Sequence, residues 1–433
     1  MKRTKLSGKF WAALIVFSLV GQVAWVVENM YFNVFIYKMF HASAAAISAM
    51  VAASAVAATL TTVFIGALSD KLGKRKLFMC GGYILWGVSI WSFALIRTDV
   101  ISKFIPAAAS AAAAGVSIVI IMDCVMTFFG SSANDACFNA WLTDSTDETN
   151  RGAAEGVNAM MPLLAILVVF GGFMGFDLDK AASWVTIYTV IGAVVLGIGI
   201  LGFFLIREPR VDTSGNQSIL RNVGYGFRPW VVRQNPALYW TLGAFAVFGI
   251  SIQIFMPYLI LYYEVSLGMK NYVMIMAPAI VLAAAVTVFY GKLYDKYHFR
   301  GTLLPALGML GAGYLLLYLT RTTVPVFLGS LLMMSGYLAG MAVFGAMLRD
   351  NTPANRAGMF QGLRIVGQVL IPGVIGPWIG ALVLRNADTV IGDDGTASFV
   401  PHAGIFLAAL LAELLVLLPA LPLLRKGRSS GKA

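Results

Sequence analysis

Twelve stretches of the chain are apolar over about the 20 residues that a helix needs to cross a bilayer. They run over residues 11–37, 44–69, 77–96, 109–142, 152–176, 182–206, 238–263, 272–293, 302–320, 323–349, 357–384 and 400–424. In hydrocarbon every backbone polar group must be satisfied within its own segment, so each run is read as a helix. The predicted fold class is an all-α membrane protein with twelve transmembrane helices. Of the 433 residues, 59% are hydrophobic and only 12% charged, against about 25% charged in a soluble domain. A soluble enzyme, a disordered chain and a secreted disulfide scaffold are thereby excluded. The first run is too long for the apolar core of a signal peptide and lacks a small-residue cleavage site. The fourth exceeds one straight crossing, so its Ala-rich start at 106–114 is expected to be an interfacial or tilted extension.

With twelve crossings both termini lie on one side, and the basic residues can be assigned to sides. Of the 31 Lys and Arg, 23 fall on the side of the termini, seven on the other, and Arg364 lies within a span. The positive-inside rule makes the side of the termini cytoplasmic, in a plasma or inner membrane. The net charge of +11 is therefore a topology signal rather than a nucleic-acid footprint. Cys80, Cys124 and Cys137 show no CxxC spacing, and His41, His298 and His402 are dispersed, so neither disulfide nor metal site is expected.

The longest polar stretch, 207–236, divides the chain into an N-terminal six-helix half (1–206) and a C-terminal six-helix half with a short basic tail (237–433). The stretch mixes Tyr225, Phe227 and Trp230 with Arg221, Arg228 and Arg233, as suits an amphipathic segment on an anionic leaflet. The halves repeat. Residues 62–75 (TVFIGALSDKLGKR) and 287–300 (TVFYGKLYDKYHFR) are identical at eight of fourteen positions without a gap. A second echo sets Asp144, Thr146, Asn150 and Arg151 against Asp350, Thr352, Asn355 and Arg356. Two halves repeated in parallel mark a secondary transporter with a midplane site between them.

The stretch from Gly66 through Asp70 to Arg75 resembles the signature loop of the major facilitator superfamily, and its second copy, Gly291, Asp295 and Arg300, stands between spans eight and nine as that superfamily would have it. Gly66 and Gly291 are expected to let helices approach closely. Asp70 with Arg75, and Asp295 with Arg300, are expected to form charged gating latches. Residues 135–146 (DACFNAWLTDST), with Trp25 and Glu28-Asn29-x-Tyr31-Phe32-Asn33 in span one, resemble the glycoside–pentoside–hexuronide cation symporters and their sucrose–proton relatives. That resemblance places Asp135 at the family's cation-site carboxylate. It also implies no sodium site of the melibiose-carrier kind, because the two span-two carboxylate positions are Ala58 and Thr62. The family's span-eleven Lys is Val369, with Arg364 nearby, and no Arg accompanies Asn158.

A charge within a span costs about 2.5–3.5 kcal/mol on translocon scales and is kept for a reason. Glu28, Asp123, Asp135, Arg364 and Glu413 are such residues. Asp135, Glu28 and Asp123 are the cation-coupling candidates, since a carboxylate stripped of water in an occluded site takes up a proton; Glu413 is read as a packing residue. Substrate-binding candidates are Trp25, Tyr31 and Trp141 for flat contact with sugar rings, Asn29, Asn134, Asn139, Asn158, Gln361 and Gln368 for hydrogen bonds to a polyol, and Arg364. There is no phosphate-cradling GxxxxGK[ST] loop and no HExxH or GxSxG, so neither ATP motor nor enzyme is expected, and no cofactor. The expected function is symport of a sugar or glycoside with a cation, proton rather than sodium. Proton antiport of drug-like or metabolite molecules, and lipid or lysolipid transport, are the alternatives. The fold requires no oligomer.

Overall fold

The computed structural model describes residues 6–105, 108–147, 149–208, 224–352, 362–392 and 395–425. Eleven helices among them are long and apolar enough to cross a membrane. They are α1 (Gly8–Phe40), α2 (Ala44–Leu72), α3 (Arg75–Leu95), α4 (Ala111–Asp144), α5 (Arg151–Phe173), α6 (Ala181–Leu205), α7 (Pro236–Ser266), α8 (Val273–Leu319), α9 (Thr323–Asn351), α10 (Gly362–Asn386) and α11 (Gly404–Arg425). The twelve predicted spans are accounted for by α8. Its 47 residues would make a rod of about 70 Å, more than twice a hydrocarbon core of about 30 Å. It is interrupted at His298 (φ 53°, ψ −170°), between the two predicted spans.

Local chemistry sets the helix ends. The Ser7 hydroxyl accepts from the Phe10 amide and Ser43 from that of Ala46, both at 3.2 Å, which satisfies amides that a helix start leaves open. Gly73 closes α2 in a left-handed conformation, φ 61°, where a Cβ is unfavourable. Pro236 begins α7, at a position where its missing N–H costs nothing. Of the predicted extension at the start of span four, residues 106–107 lie outside the described residues, and the rest is helical and continuous with the span, from Ala108 to Gly130. The one departure from all-α structure among the described residues is a hairpin of β1 (Thr389–Ile391) and β2 (Ala397–Phe399), antiparallel, with Thr389 facing Phe399.

The chain divides into two compact units, Met1–Ala46 with Ala53–Ile219, and Ile47–Ala52 with Leu220–Ala433. In the first, α3 packs on α6 and α4, and α1 on α5 and α6. The α3–α6 contact is backbone-close. A Cβ on Gly192 would lie 2.8 Å from the Gly87 carbonyl oxygen and from the Trp91 nitrogen. An aromatic core of Phe32, Phe35, Phe93, Trp184 and Tyr188 fills one end. In the second unit, α7 packs on α10 and α11, and α8 on α9 and α11, around Phe245, Phe248 and Phe344. Phe204, Val288, Phe289 and Leu319 each expose more than half of their surface. Such apolar surface is a liability in water and suits lipid tails. Of the 207–236 stretch, residues 209–223 lie outside the described residues; Pro229–Gln234 is a short helix with Trp230 exposed and Val231 buried.

Candidate functional site

Among the described residues four spans carry π-helical turns: Val27–Tyr31 in α1, Ser131–Phe138 in α4, Tyr262–Ser266 in α7 and Val366–Leu370 in α10. Such widened turns concentrate at functional positions, and here they hold Glu28, Asp135 and Gln368.

In the first unit two of the three coupling candidates, Glu28 and Asp123, come together, and Asp135 lies within electrostatic reach of Glu28. Glu28 is buried, and its Oε1 accepts from Ser54 Oγ of α2 and from Thr127 Oγ1 of α4, both at 2.8 Å. The two hydroxyls are 2.9 Å apart. Asp123, one turn before Thr127, is buried within electrostatic reach of Glu28. Glu28 Oε2 and Asp123 Oδ1 have no hydrogen-bond partner. Asp135 also acts on Glu28 electrostatically. It is only half-buried, and its Oδ2 accepts from Ser131 Oγ at 2.9 Å. Ser54, Thr127 and Ser131 were not singled out from sequence; the one available signal was Thr127 standing four residues after Asp123, on the same helix face.

The substrate candidates divide. Trp25 is half-buried beside Trp86, ring centroids 5.1 Å apart, and its buried Nε1 has no partner. Asn29 and Asn139 are exposed, each donating to a carbonyl one turn back, of Trp25 and Asp135. Asn158, half-buried, accepts from Ser18 Oγ at 2.5 Å. Tyr31 and Trp141, expected to present flat faces to a solute, pack within the unit instead, Tyr31 against Phe173 (4.4 Å) and Trp141 stacked on Phe10 (5.1 Å). Asn134 is likewise engaged, donating to the Tyr83 hydroxyl at 2.7 Å, which itself donates to the Phe17 carbonyl. Their neighbours were other spans, which sequence spacing does not reveal.

In the second unit Arg364 is half-buried on α10 with its Nε unpartnered, and among the described residues it makes no ion pair. Gln368 is half-buried a turn further on. Gln361 lies outside the described residues. Glu413 is buried in α11 with neither oxygen hydrogen-bonded. His402 is engaged with the Val383 carbonyl and the Gly404 amide. No cluster of three or more His, Cys, Asp or Glu suited to a metal occurs among the described residues.

The two signature loops differ. In the first, buried Arg75 at the start of α3 pairs with Asp70 and, at 3.0 Å, with Asp144 at the end of α4; it also donates to Ser69 Oγ at 2.6 Å. Three helix ends are thus tied by one guanidinium. In the second, Asp295 is exposed and among the described residues pairs with no cation, and Arg300 donates to the Leu423 carbonyl at 3.5 Å. The expected Asp295–Arg300 latch is therefore not formed. Tyr294, which stands where the first loop has Ser69, explains the difference. Its longer side chain reaches Asp350, the counterpart of Asp144, and donates to it at 2.7 Å. The expectation of close approach at the loop glycines is also corrected. A Cβ on Gly66 would meet only Ala136 Cβ at 3.7 Å, an ordinary contact, and one on Gly291 would meet nothing within 4 Å.

Buried carboxylates, π turns in the spans and a charged loop repeated in each half define a helical membrane transporter. The family model of the Major Facilitator Superfamily matches residues 12–377, and the chain belongs to that superfamily. Solved structures share the fold. The nucleoside transporter NupG superposes with a TM-score of 0.71 at 11% identity, over 96% of this chain and 98% of the other. A bacterial homologue of the human lysosomal transporter Spinster, inward-facing and unoccupied, gives 0.67 at 15%, over 96% of each. A D-xylose–proton symporter gives 0.65 at 14%, over 94% and 97%. No curated protein matches in sequence. The chain is a transporter and not an enzyme.

Proposed function

We propose that this transporter moves a sugar or glycoside together with a proton, by alternating access, across the plasma or inner membrane, with both termini in the cytoplasm. The observation that carries the reading is the placement of Asp135. It is partly accessible, sits on a π turn, has a single hydroxyl donor, and makes no ion pair among the described residues. A carboxylate in a span without a counter-charge is costly, and the simplest way to remove the cost is to protonate it. Asp135 is thus suited to load a proton on one side and release it on the other. Glu28 and Asp123 are the further carboxylates of the coupling machinery. Trp25, Asn29, Asn139 and Asn158 in the first unit, and Arg364 and Gln368 in the second, are the polar and aromatic groups available to a polyol. The symporter-like residues 135–146, and the likeness in fold to a D-xylose–proton symporter and a nucleoside transporter, support a polyhydroxyl solute. The loop around Arg75 is the gate, held closed by Asp70 and Asp144 in one access state.

The test is uptake of labelled disaccharides and glycosides into proteoliposomes under an imposed pH gradient. The wild type is expected to accumulate at least one of them as the gradient dictates. Asp135→Asn is expected to equilibrate the same solute without accumulating it. A wild type inert toward every sugar overturns the reading and turns the search to amphipathic solutes.

A further inference from the structure

Among the described residues of the second unit, Glu413 is the buried acid that the coupling reading does not use. It is 3% exposed on α11, in a run, Gly404–Leu415, otherwise made of Gly, Ile, Phe, Leu and Ala. This helix packs on α7, α8 and α10. The carboxyl is turned toward α8, where Gly311 leaves room for it: a Cβ at that position would lie 3.1 Å from Glu413 Oε2. The neighbouring helices bring two hydroxyls, Ser251 of α7 and Tyr314 of α8, the latter on the same helix face as Gly311. Both are engaged elsewhere. Ser251 Oγ donates to the Ala409 carbonyl at 2.9 Å, and the Tyr314 hydroxyl lies 3.1 Å from Ser251 Oγ. Ser251 has a single hydroxyl hydrogen, so the contact between the two is made by the hydrogen of Tyr314. Neither oxygen of Glu413 has a partner.

No charge compensates this carboxyl. Among the described residues no Lys, Arg or His of α7, α8 or α10 acts on it, Arg364 included. Tyr314 is the titratable group on which Glu413 itself acts, and Tyr337 of α9 acts on Tyr314 in turn. An isolated carboxylate is not tolerated in such surroundings, so the group carries a proton in this conformation. The neutral acid is still incompletely served, because its O–H finds no acceptor. A Leu would fill the same space with no polar atom to satisfy. The side chain read from the sequence as a packing residue therefore contributes no hydrogen bond to the packing. What an acid has that a Leu lacks is a proton to lose.

We propose that Glu413 is a proton-binding site of the second unit, which holds its proton while α7 is seated against α8 and α11 and releases it when α7 withdraws. This deepens the proton-coupling reading above, because it adds a site to the carboxyls of the first unit. Ser251 makes the position of α7 matter. Its hydroxyl touches the Ala409 carbonyl of α11 and the Tyr314 hydroxyl of α8 at once. Withdrawing α7 takes away the acceptor of the Tyr314 hydrogen. The phenol, within electrostatic reach of Glu413, is then free to donate to it. A hydrogen bond given to the charged form of a carboxyl favours that form, so the proton leaves. On its other side α7 packs closely on α10, Gly249 against Pro372 and Gln253 against Gly376. The helix that holds the Ser251 hydroxyl thus also bears on the helix of Arg364 and Gln368.

The experiment is infrared spectroscopy of the full chain in nanodiscs, titrated without solute from acid to alkaline pH, reading the C=O stretch of protonated carboxyls. The difference between wild type and Glu413→Gln isolates the band of Glu413. Should that variant not fold, Glu413→Leu, which suits the apolar run of α11, serves in its place. The band is expected to be present at neutral pH and to disappear reversibly as the pH rises. Ser251→Ala frees the Tyr314 hydrogen without moving α7. Measured against its own Glu413→Gln partner, it is expected to lower the midpoint of that loss by about one pH unit, a tenfold change in proton affinity. Adding Tyr314→Phe to Ser251→Ala removes the donor and is expected to restore the wild-type midpoint. A band absent at neutral pH, a band that persists at every pH, or a midpoint indifferent to Ser251→Ala overturns the proposal. No transport is measured, so such a result leaves proton coupling at Asp135 standing, and failure of sugar uptake leaves the titration of Glu413 standing.

Discussion

His298 occupies a backbone conformation, φ 53° and ψ −170°, that glycine adopts without steric cost and other residues reach at about 1–3 kcal/mol. Its counterpart in the first loop is Gly73, also at positive φ, with ψ 23°. The repeat in the sequence therefore preserves the sign of φ at the junction of two spans but not the direction in which the chain leaves it. His298→Gly is expected to stabilise the protein by about 1 kcal/mol, read as a raised melting temperature. Gly73→Ala is expected to destabilise it by a similar amount. In the α5–α6 loop, the Lys180 ammonium and the Asp179 amide hold the Asp177 carboxyl below its usual range. A depressed carboxyl contributes stability above its unfolded pKa of about 3.9 and loses it as pH falls through the folded value. The protection of amides in residues 174–180, as exchange relative to the intrinsic rate at each pH, is therefore expected to fall below about pH 4. Individual residues were the least legible level of the sequence. Glu28, Asp123 and Asp135 stood out because charge is rare in a span. Ser54 and Thr127 did not, because a small hydroxyl in a helix has no cost that would betray a role.

Among elements, the contact of α3 with α6 and the unequal loops carry the sharpest consequences. Gly192 faces the α3 backbone and the Trp91 Cβ, which is fixed to that backbone, so nothing soft can move aside. Gly192→Leu is expected to separate the two helices and cost well over the 1–3 kcal/mol typical of overpacking, seen as loss of folded protein on size-exclusion chromatography. Arg75→Ala leaves Asp144 without its partner. Because Asp70 is largely exposed, the loss is expected to be about 1–3 kcal/mol rather than the full value of a buried pair. Arg300→Ala is expected to change stability by less than about 0.5 kcal/mol. Equal losses in thermal unfolding would contradict the structural difference between the loops. The sequence made the loops look alike because Asp and Arg are matched at both ends. The substitution that separates them, Ser69 against Tyr294, lies between the matched positions and acts through side-chain length. Helix existence was legible throughout, since apolar length decides it. The π turns were not, because no residue pattern in a span distinguishes a widened turn from an ordinary one.

At the scale of the molecule, the number of crossings decides which side each loop faces. If α8 crosses twice, with its break at His298, both termini face the same compartment; a single crossing would put them on opposite sides. Tags at the two ends, probed with an impermeant reagent on intact cells, are expected to be protected together and to become reactive together on permeabilisation. The apolar run lengths and the 225-residue internal repeat made the overall architecture readable. The β1–β2 hairpin was not, since strand pairing of three residues leaves no periodicity to detect.

A π turn is also a record of length. It holds one residue more than the helix around it needs, and the surplus is absorbed by widening a single turn. Deleting that surplus residue would restore an ordinary helix while rotating one end against the other. The spans with π turns are therefore places where one-residue insertions and deletions change the aim of Glu28, Asp135 or Gln368 without unmaking a helix. Relatives of this chain that differ by one residue in α1, α4 or α10 would keep the architecture and present a different set of side chains to the solute. In such a scaffold, changes in specificity can arise through register as well as through substitution.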